Sequence, residues 1–120
     1  MATKALFAQG QTILDGSGNG SVTLRPSGES WRVNALSVNV DSRVIEASCY
    51  VYKNFVGPNY VVDNTISGST GDTSDTIHEL TDGESLICVW SGGDPGAKAT
   101  AIARGESTIP DGGFSASRIA

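Results

Sequence analysis

The sequence predicts an all-β fold, a two-sheet antiparallel sandwich of jelly-roll or immunoglobulin-like type with about eight strands. Three observations carry the prediction. Short segments rich in Val, Ile, Thr, Tyr and Trp recur along the whole 120 residues. Clusters of Gly, Asn, Asp and Ser, such as 15–20, 67–72 and 91–96, punctuate them as turns. Within the segments apolar and polar residues alternate with the period of a strand.

The first strand is expected over Ala5–Asp15, with a bend or bulge at Gln9-Gly10-Gln11 because Gly relaxes the backbone there. Asn19-Gly20 reads as a tight hairpin turn. Ser21–Arg25 follows, with Val22 and Leu24 on one face. Trp31–Val40 is the strongest strand. Its apolar residues change parity, from Trp31, Val33 and Ala35 to Leu36, Val38 and Val40, which requires a bulge or twist near Ala35–Leu36. Ser48–Phe55 sets Cys49, Val51 and Phe55 against Tyr50 and Tyr52, and Gly57-Pro58 ends it. Tyr60–Asp63 and Asn64–Ile66 are short strands or edges. The polar stretch Ser67–Thr76 reads as a long surface loop, and Asp75–Leu80 is too short for a helix. Glu84–Ser91 is a central strand, apolar on both faces. In Ala97–Arg104, residues Ala97, Ala99, Ala101 and Ala103 form a small-residue face suited to packing under Trp31 or Trp90. The organisation predicted is an N-terminal arm and first strand at 1–19, a sandwich body at 20–106 and a C-terminal arm at 107–120.

One domain of this length buries about two-thirds of its unfolded surface and needs no metal or disulfide to fold. The net charge is −5 and the basic residues are scattered singly, which disfavours direct binding of nucleic acid or an anionic membrane surface. No signal peptide or membrane span is visible, so synthesis in a cytoplasm is expected. Cys49 and Cys88 each sit inside a predicted strand and read as reduced, buried thiols; a disulfide joining the sheets is the minority reading.

Residues that could carry chemistry are few. His78 is the only histidine, and on a polar loop beside Ser74, Asp75 and Glu79 it reads as solvated, not as part of a nucleophilic triad. Asp72, Asp75 and Glu79 lack calcium-loop spacing and read as turn makers. Gly16–Gly20 resembles a phosphate loop in composition alone, with no Lys and no following helix. Asp94 reads as a turn residue. Trp31, Trp90, Tyr50, Tyr52 and Tyr60 could stack on a sugar, but mid-strand aromatics are mostly core; Tyr60, beside a turn, is the one most expected to be exposed. No catalytic, cofactor-binding or metal-ligating residue is assigned.

An ordered series of short segments then carries a resemblance. Gly28–Val33, Cys49–Tyr52, Asp63–Thr65, Gly71-Asp72, Ser74-Asp75, Gly83–Leu86, Val89-Trp90 and Gly96–Ala101 together resemble small β-sandwich virion proteins of tailed bacteriophages, especially those of actinobacteria. The resemblance spans about Gly20–Glu106, and its motifs are structural. It implies a non-enzymatic protein of the virion. The first expectation is a capsid decoration, or cement, protein whose partners are the major capsid protein and neighbouring copies of itself. A minor tail or head–tail component is the alternative, and a carbohydrate-binding module for host attachment is a third reading from a different class. Leu6, Phe7, Ile109, Phe114 and Ile119, apolar residues in otherwise polar ends, are the expected interface anchors.

Overall fold

The computed structural model describes residues 2–45, 47–65, 72–74 and 77–109. These residues form nine strands: β1 (Ala2–Ile13), β2 (Gly20–Leu24), β3 (Ser30–Val40), β4 (Ser48–Lys53), β5 (Val61–Thr65), β6 (Asp72–Ser74), β7 (His78–Leu80), β8 (Leu86–Ser91) and β9 (Lys98–Ile109). A 3-10 turn, Pro58–Tyr60, precedes β5. The strands make two antiparallel sheets. The first runs β1-β9-β3-β6, with β7 also on β3, and the second runs β2-β8-β4-β5.

The pairing is nested. The first strand pairs with the last (β1 with β9), the second with the one before it (β2 with β8), β3 with β6 and β7, and β4 with β5. A folded-over hairpin wrapped in this way is the jelly roll, so the topology selects that architecture over the immunoglobulin-like one. The segments β6 and β7 act as two pieces of one strand position.

The core follows the alternation. Val22 and Leu24 point inward from β2, Cys49 and Val51 from β4, and Leu86, Cys88 and Trp90 from β8. Ala97, Ala99, Ala101 and Ala103 form the buried row expected on β9. Trp31 and Trp90 both lie in the core.

The parity change in β3 is real and has a specific device. The register with β9 shifts between Val33 and Ala35, making Asn34 the extra residue. Trp31 and Val33 therefore face inward, and Leu36, Val38 and Val40 do so after the bulge. The opposing residue is Gly105, where any Cβ would collide with the Arg32 carbonyl oxygen and lie 2.8 Å from Asn34 Oδ1. A glycine is needed because the bulged backbone occupies the space a side chain would take.

Several expectations are corrected. β1 carries no bend at Gly10: its twelve residues pair with β9 in unbroken register, from Ala2–Ile109 to Ile13–Lys98. Gly10 serves instead as a close-approach point, since a Cβ there would run into Val22 Cγ1 of the second sheet. Asn19-Gly20 does not join a hairpin, because β1 and β2 belong to different sheets. It ends a corner in which Asp15 Oδ1 accepts from Ser17 N at 2.8 Å and Asn19 N at 3.1 Å. Phe55 does not share the inward face of Cys49 and Val51; it follows Asn54, whose φ of 73° turns the chain, and it is exposed. The polar stretch 67–76 contains β6, and 78–80 is strand, because β3 is long enough to template both pieces.

The terminal segments are also not arms throughout. β1 is an integral strand of the first sheet, with Leu6 and Leu14 in the core. Ser107–Ile109 belong to β9, Ser107 is buried, and its hydroxyl hydrogen-bonds Glu29. Any truncation meant to remove a tail alone therefore has to begin at Pro110, outside the described residues.

The bulge yields a test. Gly105→Ala should cost about 1–3 kcal/mol, because the methyl group must displace backbone rather than a flexible side chain. Urea denaturation reads this as a lower midpoint with unchanged slope, and an unchanged midpoint would show that the bulge tolerates a Cβ.

Candidate binding surface

The inward-facing candidates come first. Burial pushes the Cys88 thiol up to about 12, with a further contribution from Asp63, and burial likewise raises the Cys49 thiol, helped by Cys88 and Asp63. Both are free cysteines on the core face of the second sheet, Cys49 paired across from Trp90 and Cys88 from Val51. Thiols held this far from ionisation are poor nucleophiles and poor metal ligands. Among the described residues no group of three or more His, Cys, Asp or Glu side chains is placed to hold a metal ion.

His78 is the clearest correction. It is not a solvated loop residue but a buried one, only 6% exposed on β7 and paired with Val33 of β3. Burial lowers its pKa; the charge of Asp63 partly opposes that shift, and Lys53 adds to it. Its Nε2 has no hydrogen-bond partner among the described residues, nor have Nε1 of Trp31 and Trp90. The period-two signal that places His78 inward spans just three residues, His78-Glu79-Leu80, too few to read without the partner strand.

Of the acidic residues weighed for calcium, Glu79 faces outward and pairs with Arg32 at 3.0 Å, whereas Asp75 lies outside the described residues. A surface depression of about 390 Å³ lies beside that ion pair, lined in part by Trp31, Leu80, Glu106 and Thr108. Asp94 is a loop organiser. Its carboxylate accepts from the N–H groups of Arg43 (2.7 Å), Val44 (2.9 Å) and Ile45 (2.9 Å), clamping the β3–β4 connection onto the β8–β9 loop. Those donors, the Val44 N–H foremost, hold its carboxyl below the usual range.

The surface that stands out is the outer face of the second sheet. Register places its outward residues in rows across the strands. Ser21, Val89 and Tyr50 form one row, and Thr23, Ile87, Tyr52 and Val61 form the next. A third is closed by the Ser48–Ser91 hydroxyl pair at 3.1 Å. None of these residues is charged. The Tyr50 and Tyr52 rings lie side by side, centroids 6.4 Å apart and planes 24° from parallel. At the end of β4 the face continues into Phe55 and Tyr60, which meet edge to face at 5.3 Å. Phe55, Val56 and Tyr60 are all exposed. Charge returns at one end of the face, with the Lys53–Glu84 pair at 3.7 Å and exposed Arg25. An uncharged, Tyr-bearing patch bordered by charge has the composition found at the centre of protein interfaces.

The five sequence-derived anchors divide. Leu6 is buried in the core and cannot serve as a free anchor. Phe7 is 60% exposed on the outer face of the first sheet, with the Arg104 guanidinium 5.5 Å from its ring centroid. Ile109 ends β9 and is partly exposed. Phe114 and Ile119 lie outside the described residues. None of the three described anchors, Leu6, Phe7 and Ile109, is on the neutral face. Its residues were separable by parity, Tyr50 and Tyr52 against Cys49 and Val51, but their adjacency across strands needed the topology.

No family model matches the chain, and no curated protein does. Among solved structures it is similar to a periplasmic inhibitor of g-type lysozyme, PliG of Aeromonas hydrophila, at 14% identity and a TM-score of 0.45. The likeness covers 84% of this chain and 86% of that one, and it is too distant to bear on function.

Two measurements test the interior. Cys49 and Cys88 should resist a thiol reagent in the native protein and both react once it is unfolded without reductant; a single reactive thiol or none would overturn the free-thiol assignment. His78 has a folded pKa below its unfolded value of 6.5, so the unfolded chain binds the extra proton. Stability is therefore fully present above 6.5 and falls as pH drops below it toward the folded pKa. The urea midpoint should be lower at pH 5.5 than at pH 7.5, and His78→Leu should flatten that difference.

Proposed function

We propose that this chain is a non-enzymatic virion structural protein of a tailed bacteriophage, a capsid decoration protein that docks on the assembled shell. The observation that carries the reading is the neutral aromatic face of the β2-β8-β4-β5 sheet. Solvated sheet faces ordinarily alternate apolar-in with polar and charged-out, whereas here Tyr50, Tyr52, Ile87, Val89 and Val61 are turned outward together. The resemblance of Gly20–Glu106 to phage virion domains supports the choice of partner, and the jelly roll is a frequent capsid architecture, which supports it by analogy of fold. Docking on many equivalent lattice sites would stabilise the shell by mass action. Placement on the tail or head–tail connector uses the same face on a different lattice.

A second reading has its own observation. The side-by-side rings of Tyr50 and Tyr52, with Phe55 and Tyr60 beyond them, make a flat platform on which a sugar could stack. This carbohydrate-binding reading predicts saturable binding of soluble host cell-wall glycan.

Co-sedimentation with empty capsid shells of a tailed bacteriophage, set beside co-sedimentation with insoluble cell-wall glycan, separates the readings. Wild-type protein should pellet with shells and not with glycan. Tyr50→Lys/Val89→Lys should lower shell affinity by about tenfold or more, since truncated interface hot spots cost at least that much, while leaving the circular dichroism spectrum unchanged. Wild-type protein that stays in the supernatant with shells sinks the decoration reading, and a double variant that pellets as well as wild type removes this face from it.

A further inference from the structure

We infer that β1 is a dimerisation edge, and that two copies of this chain pair antiparallel through it about a two-fold axis at Gly10. Among the described residues β1 has one strand neighbour, β9, so its other side is a free sheet edge. Free edges are ordinarily blunted by shortness, bulges, Pro or inward charge, and the other edges of this sandwich show such devices. β6 and β7 are three residues each and β2 is five. β5 carries a bulge at Val62 and the carboxylate of Asp63 on its inward side. β1 has none of them: it is twelve residues long, in unbroken register, with no Pro and a single charge, Lys4.

The residues of this edge match themselves when reversed. Leu6-Phe7-Ala8-Gln9-Gly10-Gln11-Thr12-Ile13-Leu14 reads symmetrically about Gly10. A two-fold axis there sets Gln9 opposite Gln11 of the second copy, Ala8 opposite Thr12, Phe7 opposite Ile13 and Leu6 opposite Leu14. Phe7 and Ile13, each 60% exposed, would cover one another on the outer face. Such an interface is isologous and closes at two copies.

Backbone geometry agrees with the same axis. Leu14 N donates to Ala97 O at 2.9 Å, and the pairing of β1 with β9 continues from there without a shift. Even-numbered residues of β1 therefore turn their N–H and C=O groups toward β9, and odd-numbered ones turn them outward. An axis at Gly10 brings outward-directed residues together, 7 with 13 and 9 with 11, so both N–H and C=O of each find partners. The occupant is a second copy because a chemically palindromic segment is its own complement.

Sedimentation equilibrium of the full chain, without any shell, tests the proposal independently of the capsid reading. The expected mass is twice the 12.4 kDa of one chain. Gln11→Pro deletes an outward N–H while leaving the ladder to β9 intact, and it should give a monomer with the same strand spectrum. Because Pro could also unfold the strand, a second variant fixes the register. Under oxidation Phe7→Cys/Ile13→Cys should form a disulfide-linked dimer, whereas Phe7→Cys alone should not; the buried Cys49 and Cys88 do not compete. A wild-type protein that sediments as a monomer, or a double-cysteine variant that fails to cross-link, overturns the inference.

Discussion

The spacing between the two sheets rests on the inward face of β9. That strand lies second in its sheet, between β1 and β3, and its inward side carries Ala99, Ala101, Ala103, Gly105 and Ser107, with buried Ala97 just before it. Facing sheets sit about 10 Å apart, and the side chains of both must fill that gap. A row this small on one side leaves room for Trp90, Leu86 and Leu80, all essentially unexposed, on the rest of the core surface. Enlarging any of the alanines would push the sheets apart or force those side chains off their rotamers. The same row lets β9 carry two neighbours in long, nearly complete register, so it organises both the sheet and the core.

The bulge at Asn34 follows from that constraint. β3 must offer Trp31 and Val33 inward at one end and Leu36, Val38 and Val40 inward at the other. An unbulged strand would turn one of those sets to solvent. Gly105 provides the space for the extra residue, so one glycine on β9 and one extra residue on β3 jointly keep five apolar side chains in the core. On the second sheet β2, β4 and β8 keep one parity throughout and the only register shift among the described residues is at Val62 of the edge strand β5, and what remains on the outer side is the neutral face.

What could be read in the sequence was what short-range alternation encodes. The inward sets of β2, β4 and β9 and the parity change in β3 follow from residues two apart, whereas β8 is apolar on both faces and its inward set is fixed by its partners. Which strand lies beside which does not. Asn19-Gly20 has hairpin chemistry, yet the chain crosses to the other sheet there, because β8 and not β1 offers β2 its partner. His78 lies in a three-residue strand whose inward face is set by Val33, forty-five positions earlier. The first strand was legible over Ala5–Asp15, but its inward residues Ala8, Gly10 and Thr12 are small or polar, so its core face was not, and Leu6 looked like a free anchor rather than core. The neutral face was legible one strand at a time, as Tyr50 with Tyr52 and Ile87 with Val89, and became a surface when register set them side by side.

The β1 edge and the neutral face lie on different parts of the sandwich, so the two proposed contacts are geometrically compatible. The β1 edge extends the first sheet sideways, while the neutral face looks outward from the second. Pairing at β1 therefore leaves the neutral face of each copy open, and a dimer presents two such faces in a fixed geometry. When two linked faces meet a lattice of equivalent sites, the second contact forms at the effective concentration set by the first. Modest contacts from Tyr50, Tyr52, Ile87 and Val89 could then add up to firm retention on a shell, provided the spacing of lattice sites matches the separation of the two faces. In the proposed dimer a rigid sheet-to-sheet connection would make that match a matter of geometry rather than of chain flexibility, and its two-fold axis would require a receiving lattice to offer sites in two-fold-related pairs.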